Sequence, residues 1–341
     1  MKCAALKGVR EFEIKEIEEP KSDGVNVIID VKTAGICGSD IHYWVSGEPK
    51  GLVLGHEYCG VVKDPGNRID LKAGDRVTAL PISPCGKCHA CLSGNPQYCI
   101  ETWTRATGLS LTNPGALAPQ MAIRPDMVIK VPDNVSNEEA AMVEPTAVGL
   151  HAIRLADIKV GDKVLVIGGG IIGLVSAMFA KMEGASYVAI SETNESRGKK
   201  AVSLGVADEY LNALDPKFLE NVMSKTICGF DKVIDCSGNS GAVTSAFMAS
   251  KTGGVVVLVG VSLEPITIPT VIAVMHELKV QGAIAYTKEE FKTCIDLISN
   301  KQINVLKFLD SVVGLKDVQA SYEKLTNGTT DAVKIIVDPN K

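Results

Sequence analysis

The sequence predicts an α/β chain of two domains, one β-rich and one built on a doubly wound parallel sheet. Three observations predict it. The chain has 341 residues, more than the roughly 100–200 that one hydrophobic core usually serves. Up to residue 145, Gly and Pro interrupt short apolar runs at close intervals, as in a small barrel or sandwich. From residue 146, apolar runs of strand length alternate with helical runs, the mark of βαβ units around a parallel sheet.

Taken in order, residues 25–31 read as a strand. Residues 52–54 and 58–62 read as strands flanking Gly55-His56-Glu57, and 75–80 as a strand after a Gly turn. The second half opens with a strand at 163–167 and a helix at 171–183. Strands at 187–191, 230–236, 254–261 and 280–285 follow, with helices at 195–204 and 242–250 between them. Helices at 288–299 and 315–326 and a strand at 332–337 close the chain. Aromatic residues are only 5%, so the core is aliphatic.

Composition excludes several classes. Apolar residues at 46% and charged residues at 22% argue against disorder. The net charge of −5 offers no polyanion-binding surface, so nucleic acid and anionic membrane are excluded as partners. The longest uncharged run lies between Lys163 and Lys181 and is broken by four glycines, which suits a strand, a turn and a helix better than a membrane span. The first twenty residues lack an apolar segment before a small-residue cleavage site, so the expected location is cytoplasmic and reducing.

In a reducing compartment, clustered cysteines read as metal ligands. Cys85, Cys88, Cys91 and Cys99 cluster within 85–99, with Pro84, Gly86, Gly94 and Pro96 allowing the tight loop. Four soft ligands suit tetrahedral Zn²⁺ with no open position, which makes a structural site. A redox C-x-x-C pair would leave two cysteines unexplained. His89 inside this lobe is a bystander. A sparser set comprises Cys37, His56, Glu57 and Glu144. Three protein ligands plus an open position is the catalytic zinc pattern. His56 and Glu57 would alternate faces in a regular strand, and Gly55 lets the backbone turn so that both face one ion.

Gly168-Gly169-Gly170-Ile171-Ile172-Gly173 matches G-x-G-x-x-G after a strand and opens a helix; the acid Glu192 ends the next strand. That context defines a Rossmann dinucleotide turn. Gly168 allows the tight turn, Gly170 the approach of the pyrophosphate and Gly173 close helix packing. The N-terminus at Ile171 and Ile172 supplies free N–H groups for the phosphates. Glu192 accepts the ribose hydroxyls and repels a 2′-phosphate, which selects NAD. Arg197 lies over the adenine, near the phosphates, or in solvent.

With these motifs in place, the sequence resembles the zinc-dependent medium-chain dehydrogenases, in their sorbitol (iditol) dehydrogenase-like polyol branch. The resemblance covers essentially the whole chain. It rests on the block Gly35–Trp44, on Gly55-His56-Glu57, the four-Cys lobe, Val143-Glu144-Pro145 and the dinucleotide turn. It implies a GroES-like catalytic domain at 1–147 and 287–341 around a Rossmann domain at 148–286. It implies two zinc ions per chain, with Cys37 and His56 as catalytic ligands and Glu57 and Glu144 sharing the remaining duty. It implies Ser39 as the first proton acceptor with His42 beyond it, hydride transfer from a secondary alcohol to NAD, and a homodimer or homotetramer. Tyr43 and Trp44 are expected to line the pocket. Sorbitol dehydrogenases carry Arg where this chain has Ala285, which points to a substrate other than sorbitol. Arg105 reads first as a solvated loop residue, and as a partner for a sugar-acid carboxylate if its loop borders the cleft. An L-threonine or 2,3-butanediol dehydrogenase shares the Glu-type zinc set. A catalytically silent nucleotide sensor is the alternative of another class, and the intact zinc set argues against it.

Overall fold

The computed structural model describes residues 1–341, which divide into two units. One comprises Met1–Pro145, Tyr286–Asn327 and Lys334–Lys341; the other comprises Thr146–Ala285 and Gly328–Val333. Segment 328–333, expected in the first domain, therefore groups with the second. Local hydrogen bonds explain this: Asn194 Nδ2 donates to the carbonyls of Gly328 and Thr330, and Lys200 Nζ to that of Asp331.

In chain order the first seven strands are β1 (Lys2–Gly8), β2 (Glu11–Glu16), β3 (Val27–Gly35), β4 (Glu57–Asp64), β5 (Arg76–Ala79), β6 (Gln120–Ile123) and β7 (Val128–Lys130). The next six are β8 (Lys163–Ile167), β9 (Tyr187–Glu192), β10 (Glu209–Asn212), β11 (Phe230–Asp235), β12 (Ser250–Leu258) and β13 (Lys279–Gly282). The last two, β14 (Ser311–Gly314) and β15 (Ile335–Asp338), return to the first unit.

The first unit holds a seven-stranded sheet in the order β14-β15-β3-β4-β5-β7, with β6 also on β3, and a β1-β2 hairpin. Strand β3 runs four residues beyond the predicted end at Val31, because partners continue to engage it. Gly35 pairs with Glu57 of β4 on one side and with Ile336 of β15 on the other. This register places Cys37 just past β3, Glu57 at the head of β4 and Lys334 just before β15. Residues 52–54, read as a strand, form no ladder. Their carbonyls accept instead from the backbone N–H groups of Leu6, Gly115 and Leu117.

The helix Gly38–Ser46 is not evident in the sequence, whose Ile, His, Tyr and Trp are mediocre helix formers. It forms because Asp40 Oδ2 accepts from the Cys37 N–H at 3.1 Å and Gly47 ends it in the left-handed region at φ 71°. Trp44 is 1% exposed and packs on Tyr322 at 5.8 Å with Arg10 over its ring, so it belongs to the core and not to a pocket.

The second unit is a six-stranded all-parallel sheet in the order β10-β9-β8-β11-β12-β13. Counted from β8 this is 3-2-1-4-5-6, the doubly wound Rossmann order with its switch point between β8 and β11. In the inner strands β8, β9, β11 and β12, short runs of Val, Ile and Leu are buried, as parallel strands covered on both faces require. Strand β12 begins at Ser250, earlier than predicted, and β13 stops at Gly282 rather than 285.

The helix Ile171–Met182 lies close on β8 because Gly173 has no side chain: a Cβ there would stand 1.8 Å from the Gly168 carbonyl oxygen. Gly173→Ala is therefore expected to destabilise by about 1–3 kcal/mol, the usual range for overpacking. At about 2–4 °C per kcal/mol for a domain of this size, thermal melts should show a clear fall in Tm. An unchanged Tm would contradict this packing.

Candidate metal centres and nucleotide turn

The end of β3, the N-terminus of helix Gly38–Ser46 and the head of β4 bring Cys37, His56 and Glu57 together. One ligand atom from each lies within 4.8 Å of the others. His56 is buried, and its Nδ1 stands 3.1 Å from Asp40 Oδ1. Its Nε2 therefore faces Cys37, with Ser39 Oγ 3.4 Å from Nε2 and 3.3 Å from Cys37 Sγ. A carboxylate on one imidazole nitrogen fixes the other as a metal ligand. Burial opposes charge on His56, yet Asp40 and Cys37 outweigh it and raise its pKa well above the usual value. Burial and Glu57 push the Cys37 thiol up. Thiol, imidazole and carboxylate thus converge in a largely buried place where the free Cys37 thiolate is disfavoured and the charged imidazole of His56 favoured. A divalent cation fits there, because it stabilises deprotonated ligands.

Glu144 lies outside that three-residue group. Burial pushes its pKa up to about 7, against the pull of His56. Its Oε1 accepts from the Tyr286 hydroxyl at 2.9 Å. Glu57 has a different partner: its Oε2 is bonded to Lys334 Nζ, both side chains being fully buried, while its Oε1 is buried with no hydrogen-bond partner. The sequence reading missed Asp40, Tyr286 and Lys334. Asp40 was legible as the residue three after Cys37; Lys334 and Tyr286 reach the cluster from more than 140 residues away in sequence, and no local pattern signals that. His42 follows Ser39 on the same helix and is exposed.

Cys85, Cys88, Cys91 and Cys99 form a second group within 4.8 Å. Cys85 and Cys91 sulfurs lie 4.0 Å apart, and those of Cys88 and Cys91 3.5 Å. Ligands at about 2.3 Å from a tetrahedral zinc would lie about 3.8 Å from one another. The Cys88 N–H donates to Cys85 Sγ and the Cys85 N–H to Cys99 Sγ, each at 3.3 Å. That donation pulls Cys99 down to about 6, whereas burial pushes Cys91 up to about 11. All ten cysteines are free, and His89 is not in the group. The residues fit zinc.

At the glycine turn, Gly168 has φ 103°. A Cβ on Gly170 would meet nothing within 4 Å, leaving room for a ligand against the backbone. The helix that follows has no side-chain cap, so its first N–H groups remain available for phosphate. Glu192 Oε2 accepts from the Gly169 N–H at 2.6 Å, and its Oε1 from the N–H groups of Thr193 and Asn194. Arg197 lies beside Gly169 and Glu192: a Cβ on Gly169 would meet Glu192 Oε2 at 2.9 Å and Arg197 Cβ at 3.4 Å. A dinucleotide fits this cradle. Arg105 lies on the surface, where Nη2 pairs with Glu101 at 3.1 Å. No helix is long and apolar enough to cross a membrane.

Residues 23–133 match the family described as alcohol dehydrogenase GroES-like domain, and residues 172–300 the family described as zinc-binding dehydrogenase. The L-idonate 5-dehydrogenase of Vitis vinifera is 31% identical, over 98% of this chain and 93% of that one. The sorbitol dehydrogenase of Bacillus subtilis is 29% identical, over 100% and 98%. The crystal structure of 2R,3R-butanediol dehydrogenase from Bacillus subtilis superposes with a TM-score of 0.88 at 27% identity, covering 99% of each chain. The chain belongs to the zinc-dependent medium-chain dehydrogenases. It is an oxidoreductase with a GroES-like and a Rossmann domain, acting on a small-molecule alcohol with zinc and a nicotinamide nucleotide.

Proposed function

We propose that the chain oxidises a secondary hydroxyl of a polyol or sugar acid, with NAD as hydride acceptor. Cys37, His56 and a glutamate hold a catalytic zinc, and Cys85, Cys88, Cys91 and Cys99 hold a structural one. The observation that carries this reading is the buried convergence of Cys37, His56 and Glu57 with Ser39 hydroxyl beside two of them. Zinc supplies a Lewis acid and nicotinamide a hydride acceptor. Asp40 orients His56 by its contact at Nδ1. Ser39 Oγ, beside Cys37 Sγ and His56 Nε2, would accept the substrate's hydroxyl proton, and His42, exposed on the same helix, would be the next acceptor toward solvent. Glu57 already lies with Cys37 and His56, which favours it over Glu144 as the direct ligand.

The names of the relatives favour sugar-derived substrates: the Vitis protein is named for an acid and the Bacillus protein for a polyol. A second reading, a 2,3-butanediol dehydrogenase, is favoured by the Bacillus butanediol enzyme's fold match. An NAD⁺-reduction screen over polyols, sugar acids, L-threonine and 2,3-butanediol separates them. The highest kcat/KM should fall to a polyol or sugar acid. If butanediol or threonine surpasses them all, the substrate class is wrong while the zinc chemistry stands.

Cofactor choice follows from Glu192. A 2′-phosphate beside its carboxylate costs on the order of 1–3 kcal/mol, or about 5–150-fold in preference for NAD⁺. Glu192→Ser should narrow the ratio of kcat/KM values without abolishing binding, because the pyrophosphate contacts remain. Equal kcat/KM for NAD⁺ and NADP⁺ in the unaltered enzyme would refute the role of Glu192.

The same proposal includes a homodimer or homotetramer in the cytoplasm. In support, β13 is exposed along its length at the sheet edge, and Val271, Val274 and Met275 nearby are more than two-thirds exposed. Ten free cysteines suit a reducing compartment. Light scattering should return a mass of two or four chains; a monomer would remove the oligomer.

A further inference from the structure

We propose that Lys334 is a positioning residue that serves as a built-in counter-cation of the catalytic centre and sets its affinity for zinc; this rests on the metal centre proposed above. Lys334 is 0% exposed. Its backbone N–H donates to Asp310 Oδ2, and its Nζ donates to the Ile36 carbonyl at 3.0 Å and to Glu57 Oε2. The space for this pair exists because Gly35 lacks a side chain. A Cβ there would stand 2.1 Å from Glu57 Oε2 and 3.0 Å from Lys334 Nζ.

The surroundings explain why a fixed cation is needed. Cys37, Asp40, Glu57 and Glu144 bring four acidic groups into one buried region. Isolated charges there are costly, and a buried carboxylate without a partner more so. Lys334 is paired with one of the four, Glu57. It also holds one oxygen of Glu57 and leaves the other, Oε1, buried and without a hydrogen-bond partner. Before metal binds, the ammonium offsets the Glu57 carboxylate. Once metal is bound, ammonium and metal share the field of the same carboxylate. The two cations therefore oppose each other, and removing Lys334 strains the metal-free protein more than the loaded one.

This yields signs that a merely structural role does not. Zinc affinity at the Cys37 centre is measured by competition with a chromogenic chelator, the centre being identified as the zinc missing from Cys37→Ser. Lys334→Met should tighten it roughly 10–100-fold, the usual scale for groups behind a ligand. Glu57→Gln should loosen it by at least a similar factor, since a ligand is lost and Lys334 then stands uncompensated. The double variant still lacks the glutamate ligand but no longer holds an unpaired ammonium, so it should bind zinc more tightly than Glu57→Gln alone while staying below the unaltered value, and Lys334→Arg should stay near the unaltered value. Loss of thermal stability with unchanged affinity in Lys334→Met would overturn the proposal. If Lys334→Met does not fold, the comparison passes to Glu57→Gln with and without it, because the double variant leaves no unpaired charge. Failure of the second change to recover affinity then overturns the proposal. The underlying reading fails separately: the unaltered chain would hold no zinc that depends on Cys37.

Discussion

Replacing Cys88 by serine is expected to release one zinc per chain and remove much of the folding margin. The lobe around it has little else to order it. Its helix His89–Leu92 is four residues long and its 3₁₀ turn Pro96–Tyr98 three. Leu92, Tyr98 and Ile100 are 76%, 52% and 85% exposed, so the loop has almost no apolar core. What converges is sulfur, four thiols within 4.8 Å. For such sites, metal binding energy is folding energy. Metal loss is among the few causes that take a single substitution beyond about 4 kcal/mol. Against a total margin of about 5–15 kcal/mol, the Tm should fall by about 8–16 °C at about 2–4 °C per kcal/mol. Proteolysis should begin within 85–99. Elemental analysis and a thermal melt check both halves, and a variant with full zinc and an unshifted Tm would show the lobe to be something else.

The parts of the molecule legible in sequence are those whose signals are local. Strand β8, the glycine turn and the helix after it appear where the pattern puts them, because a buried apolar run and a turn that only Gly tolerates are each decided within a few residues. The four-Cys lobe is legible for the same reason. The helix Gly38–Ser46 was not, since its stability comes from Asp40 as a cap and from burial of Trp44 against Tyr322. Trp44, expected to line a pocket from the resemblance of the block Gly35–Trp44, turns inward for that packing. The register of β3 against β4 and β15 carries the remaining information. It sets Lys334 against Glu57 across 277 residues of sequence, and nothing local to either residue announces the other.

Cys37→Ser should separate chemistry from folding. Cys37 is the N-cap of helix Gly38–Ser46, with extended backbone and its N–H bonded to Asp40. Serine is among the best residues at that position, so the helix should persist and the Tm should fall by less than in Cys88→Ser, by the part owed to the lost ion. The metal should not persist. A neutral hydroxyl replaces the one soft ligand of the centre, leaving His56 and a carboxylate already committed to Lys334. The zinc content should drop by one per chain, with the four-Cys lobe still loaded. Lewis-acid stabilisation of the departing proton's oxygen is worth several kcal/mol, which corresponds to a loss of about 10³-fold or more in kcat/KM. NAD⁺ binding, followed by nucleotide fluorescence, should survive, since the glycine turn and Glu192 lie on β8, β9 and the helix between them. A Cys37→Ser enzyme that keeps both its zinc content and its turnover would remove Cys37 from the centre.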